Sequence, residues 1–302
     1  MQTKRFTKYI DLYLPIFMDW IRYKKGDNKN WIIRKNILDH YRTIPQWEID
    51  DEKQEALNYI KKKGVKTFPY AFIDKYDYSK IKVYKDEECD LKYVLHNGHK
   101  LYFARNLSIF IIKRLYNSLL IEQDPESAHY YETENCKVNN GDILFDIGAA
   151  EGIFALTMVE KLKTVYLFER EERWLEALQQ TFKPWNDKVV IINKYVSDKD
   201  SKSTIKIDSI TQKLDNGSLF LKIDVEGAEE SVINGANNTL TSDKFRTKAV
   251  VCTYHNAEDH EKLSAIMKNL SYNTTTSKGY MLFLSDNQIP PYFRRGVIYC
   301  SK

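Results

Sequence analysis

Apolar positions change period along this chain, and the changes divide it into helices, a hairpin and a long alternating region. Apolar residues recur at helical spacing over residues 6–23 and 31–41, with the polar loop Gly26-Asp27-Asn28-Lys29-Asn30 between them. In the first segment Tyr9, Tyr13, Phe17 and Trp20 fall on one face, the mark of a buried stripe. Residues 50–63 read as a third helix closed by Gly64. Residues 80–84 and 93–103 alternate instead, and Asn97-Gly98 inside the second run is the strongest hairpin signal in the chain. Residues 107–120 return to helical spacing. The polar and aromatic stretch 123–131 then predicts a loop and a short helix leading to Asn139-Asn140-Gly141.

From Asp142 onward short β-branched runs alternate with helix-like ones, the pattern of a parallel sheet covered by helices on both faces. The predicted strands are residues 142–146, 164–168, 189–193, 219–224 and 249–254, followed by a helix over 259–270. Residues 279–284 and 296–300 read as two last strands. The Pro290-Pro291 loop between them leaves no room for a crossover helix, so they should be antiparallel. The expectation is an α/β fold with a seven-stranded mixed sheet over residues 123–302, preceded by a helical module with a β-hairpin over residues 1–122.

Ligands in open α/β sheets bind beyond the carboxyl ends of the strands. The first such end is Asp146-Ile147-Gly148-Ala149-Ala150-Glu151-Gly152, which runs directly into an apolar-periodic segment at 153–162. Glycine serves where a backbone must turn sharply or meet a ligand without a Cβ. A dinucleotide turn reads G-x-G-x-x-G; here Gly148 and Gly152 stand without that third glycine, and Asp146 precedes them. That arrangement suits S-adenosylmethionine (SAM), whose ammonium a carboxylate can pair with, better than a pyrophosphate. Glu169, at the end of the second strand, is placed to reach a ribose diol.

Asp146-Ile-Gly-Ala-Ala-Glu-Gly152, Phe168-Glu169, Val196-Ser-Asp198, Lys222-Ile-Asp-Val-Glu-Gly-Ala-Glu229 and Gly235-Ala236 together resemble the motif series of the FkbM-type SAM-dependent methyltransferases. The resemblance covers roughly residues 126–300, and Asp224-Val225-Glu226-Gly227 is its most specific part. It implies the class I methyltransferase (Rossmann-like) fold, SAM as cofactor, and O-methylation of a sugar or other hydroxylated metabolite in glycan or secondary-metabolite biosynthesis. The cofactor set that follows is Asp146, Gly148, Ala149, Gly152, Glu169, Arg170, Ser197, Asp198 and Asp224. Ser197 and Asp198 fit an adenine contact and a plain turn equally well.

Methyl transfer to an alcohol needs the acceptor oxygen aligned and its proton removed. His255, Asp224 and Glu226 are the candidate bases, at adjacent strand ends, with the imidazole favoured because it titrates near neutrality. Glu226 also reads as a charge favourable at a helix start. The two acids with His255 could instead hold a divalent cation, although no clear ligand spacing supports one. The family's usual acid one place before His255 is replaced by Tyr254, which loosens the transfer of any base role. Ile289-Pro290-Pro291-Tyr292 superficially resembles an amino-methylating motif but stands far from the fourth strand, and reads as a rigid loop. Glu126 and His129 are placed to reach the substrate side, though capping and packing explain them as well; His260 reads as a surface position on the last helix.

Composition narrows the partners. The net charge is +4, yet residues 1–85 hold 19 Lys and Arg against 11 Asp and Glu, or +8, leaving −4 for the remainder. A basic module suits an acidic polymer, but lysine runs such as Lys61-Lys62-Lys63 more often serve a solvated helix face; the small-molecule or glycan acceptor that the resemblance implies therefore stays the first expectation, with nucleic acid as the second choice. A dinucleotide oxidoreductase and a non-catalytic protein that keeps the fold also stay open on the sequence. Lys113 and Arg114 interrupt the apolar run around Ile111 and Ile112, so no membrane span is expected. The basic, Asp- and Pro-interrupted start is not read as a signal peptide. Cys89, Cys136, Cys252 and Cys300 show neither metal nor disulfide spacing, which points to a reducing, cytoplasmic setting.

Overall fold

The computed structural model describes residues 27–284 and 289–302. The helix expected over 6–23, with Tyr9, Tyr13, Phe17 and Trp20, lies outside the described residues. The chain continues with α1 (Asp27–Arg42) and α2 (Asp51–Lys63). The limits of α2 follow from its sequence: the Asp50 side chain accepts from Lys53 N at 2.8 Å, and Gly64 stops the helix at φ +90°. Its apolar stripe, Ala56, Leu57, Tyr59 and Ile60, is buried. Next come β1 (Tyr84–Lys85), β2 (Lys92–His96) and β3 (His99–Tyr102), an antiparallel ribbon whose Asn97-Gly98 turn has both residues at positive φ. The strand expected over 80–84 is confined to β1, because residues 78–80 wind into a 3₁₀ turn capped by Asp77. Helix α3 (Ile109–Glu122) begins at Ser108, whose hydroxyl accepts from Ile111 N at 3.3 Å.

The second region runs β4 (Ile143–Ile147), α4 (Ile153–Met158), β5 (Thr164–Phe168), α5 (Glu172–Thr181), β6 (Val189–Ile192), β7 (Tyr195–Val196), β8 (Thr204–Ile205), α6 (Ile207–Thr211), β9 (Gly217–Ile223), α7 (Glu229–Gly235), α8 (Asn237–Thr241), β10 (Phe245–Cys252), α9 (Asp259–Asn269), β11 (Asn273–Thr276), β12 (Met281–Leu282), β13 (Phe293–Arg294) and β14 (Val297–Ser301). The main sheet has the order β11-β14-β10-β9-β4-β5-β6. Strands β6, β5, β4, β9 and β10 are mutually parallel, and β14 is antiparallel to both of its neighbours. This is the seven-stranded mixed sheet expected from the pattern.

Two expectations are corrected. The sixth strand is β11, a threonine-rich edge, and not residues 279–284. Those residues spend backbone groups on the first half of the chain: Leu282 N donates to Thr67 O and Tyr280 N to the Tyr70 hydroxyl, both at 2.8 Å. Residues 281–282 then pair with β13 in a separate ribbon. A polar edge strand carries no apolar alternation, which is why the pattern passed over it. Residues 123–131 form successive turns and no helix, with Asp124 accepting from Glu126 N at 2.9 Å.

Side chains alternate across the sheet, so β4 sends Ile143, Phe145 and Ile147 to one core and Leu144 to the other. The core containing Leu144 is continuous with Ile37, Ile60, Phe68, Leu101 and Ile112 from the first half. Asp146 on β4, Lys222 on β9 and Cys252 on β10 follow Leu144, Phe220 and Val250 by two residues and share that covered face. Among the described residues no helix is long and apolar enough to cross a membrane.

Candidate active site

The turn after β4 is left-handed at alternate residues: Gly148, Ala150 and Gly152 have φ of +80°, +46° and +77°. Ala150 takes the conformation of the glycine that the sequence lacks, which spacing alone did not reveal. A Cβ on Gly148 would stand 1.9 Å from Asp224 O, and one on Gly152 2.8 Å from the Phe182 ring. The backbone of the turn is clamped to β5. Gly148 N and Ala149 N both donate to Phe168 O at 3.0 Å, and Glu169 Oε2 accepts from Ala150 N at 2.9 Å while its Oε1 accepts from Glu171 N at 2.6 Å. Burial raises the Glu169 pKa against these backbone bonds.

Asp146 lies beneath this turn, 1% exposed, with Oδ1 3.1 Å from Lys222 Nζ on the paired position of β9. Lys222 also donates to Gly148 O at 2.6 Å. Burial alone would strip the lysine of its proton, but Asp146 and Asp224 hold its pKa above the ordinary range. Burial raises Asp146 against the lysine's pull. The cation that pairs with Asp146 is therefore supplied by the chain itself.

Beyond β9, Asp224 gathers groups from both halves of the chain. The Tyr131 hydroxyl donates to its Oδ2 at 2.8 Å and the Tyr254 hydroxyl to its Oδ1 at 3.2 Å; His129 Nε2 and His255 Nε2 each lie 3.6 Å away. Burial opposes the charge on Asp224, yet the neighbouring His129 imidazole and the positive charges of Lys222 and His255 hold it well below the usual carboxylate range. Desolvation and the Asp224 charge push the Tyr131 and Tyr254 phenols well above theirs, so both are donors.

His255 sits among three carboxylates: Nδ1 is 2.9 Å from Glu229 Oε1, and Nε2 is 3.5 Å from Glu226 Oε2 as well as near Asp224. Burial alone would keep it neutral, but the Glu229 bond and the charges of Asp224, Glu229 and Glu226 outweigh it and push its pKa up to about 9. The imidazole is an imidazolium at neutral pH, and a free lone pair for proton abstraction does not follow from this arrangement. Glu229 Oε1 also accepts from Val225 N at 3.0 Å and Gly227 N at 3.3 Å, which fixes the loop that carries Glu226 at φ +58°. Glu226 is half exposed; desolvation, with Asp224 and Glu229 opposing the pull of His255, raises its pKa to about 7. One ligand atom each of Asp224, Glu229 and His255 lies within 4.8 Å of the others. A cation there would have to displace the imidazolium proton that already balances these acids.

Because folding raises the His255 pKa above its ordinary 6.5, its contribution to stability is complete below that pH and is lost as the pH rises through about 9. The loss amounts to on the order of 3 kcal/mol. Urea unfolding should show the wild-type protein less stable at pH ~9.5 than at pH ~6, with His255→Gln removing the part of the loss that falls between pH ~8 and ~9.5, while Glu122, Glu151 and Glu226, whose pKa values are also raised, contribute the part below it; a wild-type stability that is flat across this window contradicts the assignment.

Of the other expected residues, Ser197 and Asp198 follow the short strand β7 and are tied to α7, the Ser197 hydroxyl lying 3.1 Å from that of Ser231 and Asp198 N donating to it at 3.2 Å. Asp198 is exposed. Arg170 points along the surface, over Tyr195 and 3.8 Å from Glu172. Glu126 is an exposed partner of Lys75, whereas His129 reaches the centre of the site. His260 is half-buried on α9 with Nε2 2.9 Å from the Thr276 hydroxyl. Four contributors were not singled out from the sequence: Glu122, Tyr131, Glu151 and Glu229. Glu122, the last residue of α3, is raised to about 8 by desolvation and by the charges of Asp224 and Glu151, so helix and strand ends face one another there.

The family described as the methyltransferase FkbM domain matches residues 98–274. The chain belongs to the FkbM methyltransferase family. The match begins inside the β2–β3 hairpin, so part of the first half belongs with the sheet. A solved FkbM methyltransferase from Methylobacillus flagellatus KT is 17% identical, with a TM-score of 0.43 over 64% of this chain and 53% of that one. This FkbM-family chain thus spans about half the length of that relative. A precorrin-6y C5,15-methyltransferase from Geobacter metallireducens GS-15 is 13% identical, with a TM-score of 0.40 over 56% and 85% of the two chains. A putative RNA methyltransferase from Pyrococcus horikoshii is 11% identical, at 0.34 over 54% and 74%. No curated protein matches the chain.

Proposed function

We propose that this protein is a SAM-dependent O-methyltransferase acting on a sugar or another small hydroxylated metabolite. The observation that carries the reading is the left-handed turn at 148–152, whose glycines let it close on Asp224 O and the Phe182 ring, and which carries beside Glu169 a buried carboxyl oxygen of Glu151 that has no hydrogen-bond partner. Such a cradle fits an adenosine bearing an amino-acid tail. Glu169, its two oxygens anchored on backbone N–H groups, keeps lone pairs for a ribose diol. Exposed Asp198 supplies a carboxylate acceptor for an exocyclic amine in this reading. Bound there, SAM supplies an electrophilic methyl group on a positively charged sulfur.

The remaining work falls to the strand ends. Glu226 takes the proton of the acceptor hydroxyl, because a carboxyl raised to about 7 is a far better base at neutral pH than Asp224, which is pinned low, or His255, which already holds its proton. His255 and Glu229 hold the loop of Glu226 in place. Glu122, at the end of α3 and raised to about 8, offers a donor from the opposite side, so α3 contributes to the acceptor wall. Incubation with methyl-labelled SAM and a panel of free sugars, sugar nucleotides, hydroxylated metabolites and total RNA tests the reading. Label in a hydroxylated small molecule supports it; label in RNA alone replaces it with a nucleic-acid methyltransferase.

A further inference from the structure

The turn holds two acids, and the one at the strand tip is already engaged. Asp146 Oδ1 faces the Lys222 ammonium at 3.1 Å as an ion pair out of line for a hydrogen bond, and that lysine is held in place by Gly148 O. The second acid, Glu151, is only 3% exposed, and its Oε1 is buried with no hydrogen-bond partner. A carboxyl oxygen sealed from water without a partner is costly, and such a group persists where a ligand completes it. Its surroundings locate the gap. Its own backbone N–H and the charges of Glu169, Arg173 and Lys222 act on the Glu151 carboxyl, and its charge acts on Glu122 at the end of α3, so it lies between β5, α5, β9 and the end of α3.

We propose that Glu151, and not Asp146, receives the ammonium group of the cofactor's amino-acid end. The assignment rests on the reading of the turn as a SAM site. The two acids then have separate roles. Asp146 keeps Lys222 in the sheet, where the lysine braces the turn through Gly148 O, and Glu151 meets the ligand. Burial raises the Glu151 pKa to about 7 in the ligand-free protein, and an arriving ammonium would return it to the charged state.

Calorimetric titration of the full chain with S-adenosylhomocysteine and with 5′-methylthioadenosine separates the possibilities, since the second compound keeps the adenosine and the thioether but lacks the ammonium. Wild-type protein should bind both. Glu151→Gln, nearly isosteric and neutral, should weaken S-adenosylhomocysteine by about 10- to 100-fold while leaving 5′-methylthioadenosine within about twofold, with a ligand-free melting temperature no lower than wild type. Glu151→Met should behave alike. Retention of wild-type S-adenosylhomocysteine affinity in both variants overturns the assignment, as does equal loss of both ligands. A wild-type protein that binds neither compound overturns the cofactor reading itself, and the assignment with it.

Discussion

Asp146→Ala is expected to destabilise the folded protein by about 3–5 kcal/mol, because it leaves the Lys222 ammonium buried without its partner. This differs from the ligand-binding role that the sequence alone suggested for Asp146. Asp146 and Lys222 are register partners on β4 and β9, on the sheet face covered by α3 and the first half of the chain, where water does not reach to compensate either charge. Lys222→Met should cost less, since an isolated Asp146 can take up a proton. The double variant Asp146→Asn with Lys222→Met should recover much of the loss, as expected when two charges act as a unit. Urea midpoints of the four proteins measure the coupling. An Asp146→Ala variant within about 1 kcal/mol of wild type would contradict this pairing and leave Asp224, whose charge also acts on the lysine, as its counter-charge.

Glu226→Gln is expected to lower kcat by about 10²-fold or more while leaving SAM affinity unchanged. The amide keeps the size of the side chain and removes its ability to take a proton. In the wild-type protein turnover should rise as the pH passes upward through about 7, as Glu226 loses its proton, and the variant should lack that limb. His255→Gln should also lower turnover, through disorder of the 225–229 loop, but without abolishing the limb. A Glu226→Gln enzyme with full activity would return the base to another group in reach of Asp224.

The sheet was legible because its strands are covered on both faces and read as dense apolar runs, and because helices such as α2 carry their own stops, Asp50 and Gly64. The polar edge β11 was not legible, since an exposed strand needs no apolar alternation. In the site, Asp146, Gly148, Glu169, Asp224 and His255 all come to neighbouring strand ends, as their spacing implied. Their charge states did not follow from spacing. Whether Asp146 meets a ligand or a lysine depends on which face of β9 carries Lys222, and whether His255 is base or cation depends on how many carboxylates surround it. Glu122 and Tyr131 come from segments without a motif, and only packing of the first half against the sheet brings them in.

The central claim is that the turn between β4 and α4 binds SAM. Isothermal titration of the purified chain with SAM, and separately with NADH, tests it directly. The account predicts saturable heat for a single SAM site and none for NADH; heat with NADH and none with SAM would contradict it.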